Sequence, residues 1–279
     1  MDLQGKTVVV TGASAGVGEA AARLFAKQKA NLILIARNKK NLDRVVNSLR
    51  SETKVVGYAM DVLDTEAFIQ MLKECELEFG AVHVLVNNAG YHKRGDVVKN
   101  SPQDLAKMVD VNLRAPIELS AHFIPYVKRA GQGAIVNVGS LAGRTPLRGA
   151  AAYSATKAGL RAFTYALAEE LVDVDINVGV VSPGPISTGF ILSEIDEVED
   201  IVFSQPMSTP EQVANAIISI AKGERIEISM TWLNGVLTTV SYLFPRLRIA
   251  LRPTLYKIGR KKKEKYRSSF TPSSSNFSS

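Results

Sequence analysis

Short, continuous runs of Val, Ile and Leu alternate with longer stretches whose apolar residues recur at helical spacing: 7–10 then 19–27, 32–35 then 42–49, 55–59 then 68–79, and then 82–86. Further apolar runs stand at 134–138 and 176–181. A strand that is apolar at every position has no solvated face, so it belongs in a parallel sheet covered by helices on both sides. The expected architecture is α/β, a doubly wound parallel sheet of Rossmann type, in a single domain. A last strand is expected near 226–230, after which the character of the chain changes.

Directly after the first apolar run come Thr11-Gly12-Ala13-Ser14-Ala15-Gly16-Val17-Gly18, opening onto a helix. Glycines there let the backbone turn tightly and approach a pyrophosphate, whose charge then meets the helix N-terminus. Such a loop could be a tight turn only, but its place between the first strand and first helix of a βαβ unit favours the phosphate reading.

The spacing Gly-xxx-Gly-x-Gly, preceded by Thr, resembles that of the short-chain dehydrogenases/reductases. The resemblance continues in order over roughly residues 5–230: Asp61, then Asn87-Asn88-Ala89-Gly90, Asn112, Ser140, Tyr153-Ser154-Ala155-Thr156-Lys157, and Pro183-Gly184 with Thr188. It implies a catalytic set of Asn112, Ser140, Tyr153 and Lys157, with Asn112 holding a water that relays protons between Lys157 and solvent. It also implies that a nicotinamide dinucleotide contacts Gly12, Ser14, Ala15, Gly16, Val17 and Gly18 with its phosphates, and Asp61 and Val62 with its adenine. Asn87 would lie along the adenosine side of the cleft. Asn88, Ala89 and Gly90 would admit the cofactor backbone, Tyr153 and Lys157 its nicotinamide riboside, and Pro183, Gly184, Ile186 and Thr188 its carboxamide. Asp61 could instead cap the helix that starts near Thr65.

The residues make their own case for the chemistry. Tyr153 and Lys157 are four apart in a segment of helical period, so they share a face. A free phenol, with a pKa of about 10, is a poor base at neutral pH, and a neighbouring ammonium is expected to favour the phenolate. Ser140 follows a strand, at the carboxyl edge where doubly wound sheets bind ligands, and its hydroxyl can donate to a substrate oxygen while Tyr153 transfers the proton. At the end of the second strand, where a carboxylate would select NAD, the sequence has Ala36 and then Arg37. A guanidinium there suits the 2′-phosphate, so NADP(H) is the expected cofactor.

Composition excludes more than it assigns. The lone cysteine, Cys75, cannot form an internal disulfide and sits in a helical pattern as a buried thiol; with no apolar leader at the N-terminus, a cytoplasmic protein is expected. His83, His92 and His122 show no metal spacing, so no metal is expected, and His92 reads as a surface-loop histidine. The net charge of +7 is terminal: from Arg246 to Arg267 ten basic residues face one acid, Glu264, leaving the remainder close to neutral. No nucleic-acid face is therefore expected on the body.

The chain accordingly divides into a dinucleotide-binding and catalytic domain (1–230), an apolar then basic arm (231–267) and a Ser-rich disordered tail (268–279). The apolar part of the arm is shorter than the roughly 20 residues a spanning helix needs. Its apolar and basic residues suit peripheral contact with an anionic leaflet through 232–263, at the cytosolic face of a membrane; a helix covering the substrate pocket, followed by a solvated tail, is the alternative. The arm resembles that of family members reducing lipidic ketones, such as 3-ketosphinganine reductases and steroid- or retinol-directed reductases. The expected activity is NADPH-dependent reduction of a small-molecule carbonyl, lipidic or long-chain. The alternatives are an alcohol or hydroxysteroid dehydrogenase working oxidatively, and a non-catalytic nucleotide-binding protein. The family resemblance implies a homodimer.

Overall fold

The computed structural model describes residues 1–187, 195–230 and 232–270. In chain order its regular elements are β1 (Thr7–Thr11), α1 (Gly16–Lys27), β2 (Asn31–Ala36), α2 (Lys39–Leu49), β3 (Val55–Ala59), α3 (Thr65–Phe79), β4 (Val84–Asn87), α4 (Pro102–Val109), α5 (Ala115–Arg129) and β5 (Gly133–Val138). There follow α6 (Ala151–Glu170), β6 (Ile176–Ser182), α7 (Pro210–Ala221), β7 (Glu227–Ser229), α8 (Trp232–Leu243) and α9 (Pro245–Phe270). A π-helical turn, Asp110–Arg114, joins α4 to α5, and 3-10 turns occupy Leu141–Gly143 and Asp200–Ser204.

The strands form one seven-stranded parallel sheet in the order β3-β2-β1-β4-β5-β6-β7. Successive residues of a strand point to opposite faces. Thus Val8 and Val10 of β1 pack with Phe25 of α1 and Ile217 of α7, while Val9 packs with Phe68 of α3 and Phe123 of α5. Both faces are buried, which is why the strands read as unbroken apolar runs, and each buried aliphatic side chain contributes roughly 1.5–3 kcal/mol of transfer free energy. Strand order reverses between β1 and β4, opening a crevice at their carboxyl ends.

Several polar side chains inside the sheet form a chain of hydrogen bonds. Asn87 at the end of β4 donates to Asn137 Oδ1 (2.9 Å) and Ser120 Oγ (3.1 Å), and Asn137 donates in turn to Thr164 Oγ1 (2.9 Å). His83 accepts from the Thr7 amide (3.1 Å), and burial lowers its pKa to about 4, so it is a neutral structural residue. Cys75 is buried and burial raises its thiol to about 11. No group of three or more His, Cys, Asp or Glu able to hold a metal occurs among the described residues.

The arm is helical. α8 and α9 cross the carboxyl end of the sheet, and α9 lies on the Asp200–Ser204 turn, where Gly259 sits so close to the Asp200 carbonyl that a β-carbon would collide with it. Arg260 and Lys263 pair with Asp200 at 3.2 and 3.3 Å, and Tyr256 donates to Glu199 (3.0 Å). The helix runs to Phe270, so of the tail expected at 268–279 only 271–279 lies outside the described residues.

Candidate active site

The Gly-rich loop turns at Gly12 (φ 66°) and Gly16 (φ 56°), conformations that favour glycine. Gly18 backs onto the Gly12 carbonyl so closely that a β-carbon has no room. Thr11 ties this loop to the β4 turn: its hydroxyl donates to Val86 O (3.1 Å) and accepts from the amides of Asn88 and Ala89 (both 3.0 Å). Asn88 Nδ2 returns a bond to Thr11 O (2.9 Å). The α1 N-terminus has no side-chain cap, so its first amides face the crevice. A bare, positively polarised helix end behind a cradle without β-carbons fits a dinucleotide pyrophosphate.

On the adenosine side a cavity of about 220 Å³ is lined by Gly12, Ser14, Ala36, Arg37, Asp61, Val62, Ala89 and Gly90. Arg37 is 67% exposed, with Asp61 its nearest carboxylate at 3.9 Å. Asp61 accepts from the Leu63 amide (3.1 Å), while Asp64 caps α3 by accepting from Ala67 (3.0 Å), so the capping alternative for Asp61 is overturned. Asn87 does not line the cleft: its place on β4 turns it into the core, onto Asn137, and only its neighbours Asn88, Ala89 and Gly90 reach the crevice.

A larger cavity of about 930 Å³ adjoins it, lined by Ala15, Gly16, Val17, Ser140, Tyr153, Lys157, Pro183, Gly184 and Ile186. α6 presents Tyr153 and Lys157 together, and β5 ends just before Ser140. Lys157 is buried; its ammonium donates to Val138 O (2.8 Å) and lies 5.9 Å from the centre of the Tyr153 ring. Burial lowers the Lys157 pKa to about 8. Burial raises that of Tyr153, against smaller opposing effects from its hydrogen bond with Ser140 and from Arg94. Desolvation thus disfavours the phenolate in this pocket, and the ammonium expected to favour it is engaged by a backbone carbonyl. Ser140 also accepts from the Ala142 amide (3.1 Å).

Asn112 lies in the π-helical turn, fully buried. Its side chain accepts from the Tyr91 amide (2.8 Å) and donates to Tyr91 O (2.7 Å) and Thr156 Oγ1 (3.4 Å), fixing the loop after β4 against α6. Thr188 lies outside the described residues.

Three contributors have no sequence signal. His92 is not a surface residue: its ring stacks on Tyr153, centroids 4.1 Å apart and planes at 16°, and burial lowers its pKa to about 3. Arg144 reaches from the Ser140 turn to Glu227 of β7 (2.6 Å), Gly235 O (3.2 Å) and Thr239 Oγ1 (2.8 Å), tying that turn to α8. Glu227 also takes Arg161 (2.8 Å), Tyr165 (2.7 Å) and Ser182 (2.9 Å). Burial would raise this carboxyl, but those hydrogen bonds outweigh it and hold it at about 2. Through this network α8 and α9 roof the cavity, contributing Leu237, Thr238, Ser241, Arg248, Ile249, Arg252 and Leu255 to its wall.

A phenol beside a serine hydroxyl, over a buried lysine and next to a dinucleotide cradle, can exchange a proton with an oxygen undergoing hydride chemistry. The comparisons agree. The family model for short chain dehydrogenases matches residues 6–199. The ketoacyl reductase HetN of Nostoc is 34% identical over 232 residues, 81% of this chain and 78% of that protein. The 3-oxoacyl-[acyl-carrier-protein] reductase FabG of Thermotoga maritima is 32% identical over 229 residues, 80% of this chain and 93% of that one. The NADP-dependent 3-hydroxy acid dehydrogenase of Schizosaccharomyces pombe is 31% identical over 238 residues, 82% and 92% of the two chains. In structure, a Burkholderia phymatum short chain dehydrogenase/reductase in complex with NAD superposes with TM-score 0.78 over 89% of this chain and 96% of that one, at 23% identity.

Proposed function

The chain belongs to the short-chain dehydrogenase family, an oxidoreductase acting on CH–OH or C=O groups with a nicotinamide cofactor, and from that premise we propose that it is an NADPH-dependent reductase of long-chain ketones with Tyr153 as proton donor. The observation that carries this reading is Tyr153 beside Ser140 and the buried Lys157, inside a large cavity roofed by the α8–α9 arm. When bound, the cofactor supplies the hydride to the carbonyl carbon. Ser140 orients the carbonyl oxygen, Tyr153 gives it a proton, and Lys157 lies beneath the phenol to assist its reprotonation. His92 holds the phenol ring from the other side by stacking.

NADPH over NADH is supported by Arg37, which is exposed at the ribose end of the cleft with no carboxylate at Ala36. The Schizosaccharomyces relative carries NADP in its name, and two relatives are named for ketoacyl or 3-oxoacyl reduction, which supports a 3-oxoacyl-like chain as substrate. The apolar side chains Val236, Leu237, Tyr242, Leu243, Phe244 and Leu247 are exposed around the α8–α9 corner, which supports peripheral membrane contact there. No helix among the described residues is long and apolar enough to cross a membrane.

NADPH oxidation is measured with ketones graded by chain length, in detergent, alongside Tyr153→Phe. A tuned acid contributes ~10²–10⁴-fold, so the variant should lose at least that lower factor in kcat while binding NADPH like the parent. A variant that keeps most of its kcat removes the Tyr153 assignment; equal kcat/KM with NADH removes the cofactor assignment; and activity confined to short ketones removes the long-chain substrate.

A further inference from the structure

Arg248 and Arg252 stand one turn apart on α9 and both line the cavity that holds Tyr153. They are half-buried, and neither has a carboxylate partner among the described residues. Their neighbours on the same helix differ: Arg260 and Lys263 pair with Asp200, and Arg267 with Asp196 (3.4 Å). The contrast does not come from a shortage of acids, because Glu197 and Glu199 line the same cavity and Glu199 is engaged by Tyr256 instead. Arg148 joins the same wall from the loop before α6, with Asp96 its nearest carboxylate at 4.0 Å.

A guanidinium cannot shed its proton to escape burial, so two half-buried ones without a carboxylate partner make a favourable place for an incoming anion. The dinucleotide phosphates have their own place, at the glycine cradle of β1 and α1. The arginines come from α9 of the arm, which follows α8, whose Ser241 contacts Thr145 (3.2 Å) just past the Ser140 turn. They therefore face the substrate's side of the cavity. The same cavity is lined by Leu141, Leu237 and Leu255, apolar wall that suits a chain.

We propose that Arg248 and Arg252 clamp an anionic group, carboxylate or phosphate, at the far end of the substrate, so that the ketone reduced at Tyr153 is an acidic amphiphile held by both ends. This deepens the reductase reading and rests on its assignment of the cavity to substrate. A paired guanidinium contact to a carboxylate or phosphate is geometrically specific, and lysine reproduces its charge but not its fork.

Calorimetric titration with NADPH present tests the clamp without turnover, using 11-hydroxydodecanoate, whose hydroxyl and carboxylate stand at opposite ends of the chain, its methyl ester and dodecyl phosphate as probes. The parent protein should bind at least one of the two anions ~10-fold or more tighter than the ester, the factor a charge-assisted contact typically gives. The preferred anion identifies the headgroup. In Arg248→Gln/Arg252→Gln the difference should collapse, with Arg252→Lys intermediate, and unchanged thermal unfolding confirms that the variants fold. Equal affinity for anions and ester in the parent, or a preference that survives in the double variant, overturns the proposal. If charge-selective binding holds while no ketone oxidises NADPH, the clamp stands and the reductase reading falls.

Discussion

Lys157 shows how the site sets stability against chemistry. Its ammonium has one carbonyl partner, and burial takes its pKa from 10.5 to about 8. Such a depression means that keeping the charge in the folded state costs about 3 kcal/mol at neutral pH. The sign follows: below pH 8 the charged lysine penalises the fold, and the penalty fades as pH rises from 8 towards 10.5, where the unfolded chain also loses its proton. Lys157→Met fills the same space without the charge and forfeits one hydrogen bond to Val138. It should raise the unfolding temperature by ~2–4 °C at pH 7, with the gain disappearing by about pH 10.5, while kcat falls by ~10²-fold or more. Calorimetry at the two pH values reads the first effect, and a variant less stable than the parent at pH 7 contradicts it. Tyr153 and Lys157 were legible in the sequence because a four-residue spacing puts both on one helix face whatever the tertiary structure. His92 was not, since its stack on Tyr153 joins a loop to a helix 61 positions away and neither segment carries a periodic mark of the other. The environment of Tyr153 was only half legible for a related reason: spacing reveals a neighbouring charge but not desolvation, which is the largest influence on this phenol.

At the scale of elements, the core strands were legible because burial on both faces leaves an unbroken apolar run, whereas the docking of the arm depended on acids about 60 positions upstream, Glu199 and Asp200. Two contacts make that docking testable. Glu227 anchors β7 and, through Arg144, α8; its folded pKa of about 2 against 4.5 makes it a source of stability that is present above pH 4.5 and lost as pH falls from 4.5 towards 2. The size is about 3 kcal/mol. Urea unfolding across that pH range should show stability falling for the parent, and a shallower fall from a lower starting value for Glu227→Gln; parallel curves would remove Glu227 from the acid response. Gly259 tests the other contact. Because a β-carbon there meets the Asp200 carbonyl, Gly259→Ala should lift α9 from the Asp200–Ser204 turn, raise KM for long-chain ketones several-fold, and leave kcat for a short ketone close to the parent's. A KM shift that is the same for both chain lengths would mean that α9 does not act through the roof of the cavity.

For the whole molecule, the fold changes how its charge should be read. The +7 of the chain is concentrated in the arm, but α9 uses Arg260, Lys263 and Arg267 on Asp200 and Asp196, within the molecule. Those cations are spent on holding the helix over the cavity and are poorly placed to bind an anionic surface as well. Besides its remaining exposed lysines, the arm presents outward the apolar corner where α8 turns into α9, with Tyr242, Leu243 and Phe244 consecutive and each about 60% exposed. A few apolar side chains inserted at the headgroup level contribute about 1.5–3 kcal/mol each, and they are not screened by salt as an ion pair is. Deleting the arm cannot test this, because the same helices wall the cavity that holds Tyr153. Surface substitutions can. In flotation with phosphatidylserine-containing liposomes, the full chain should float and continue to float as salt is raised, whereas Phe244→Ser/Leu247→Ser should stay with the soluble fraction and keep its activity on a short ketone. Flotation abolished by salt would return the interaction to the basic residues, and equal flotation of parent and variant would detach the apolar corner from the membrane.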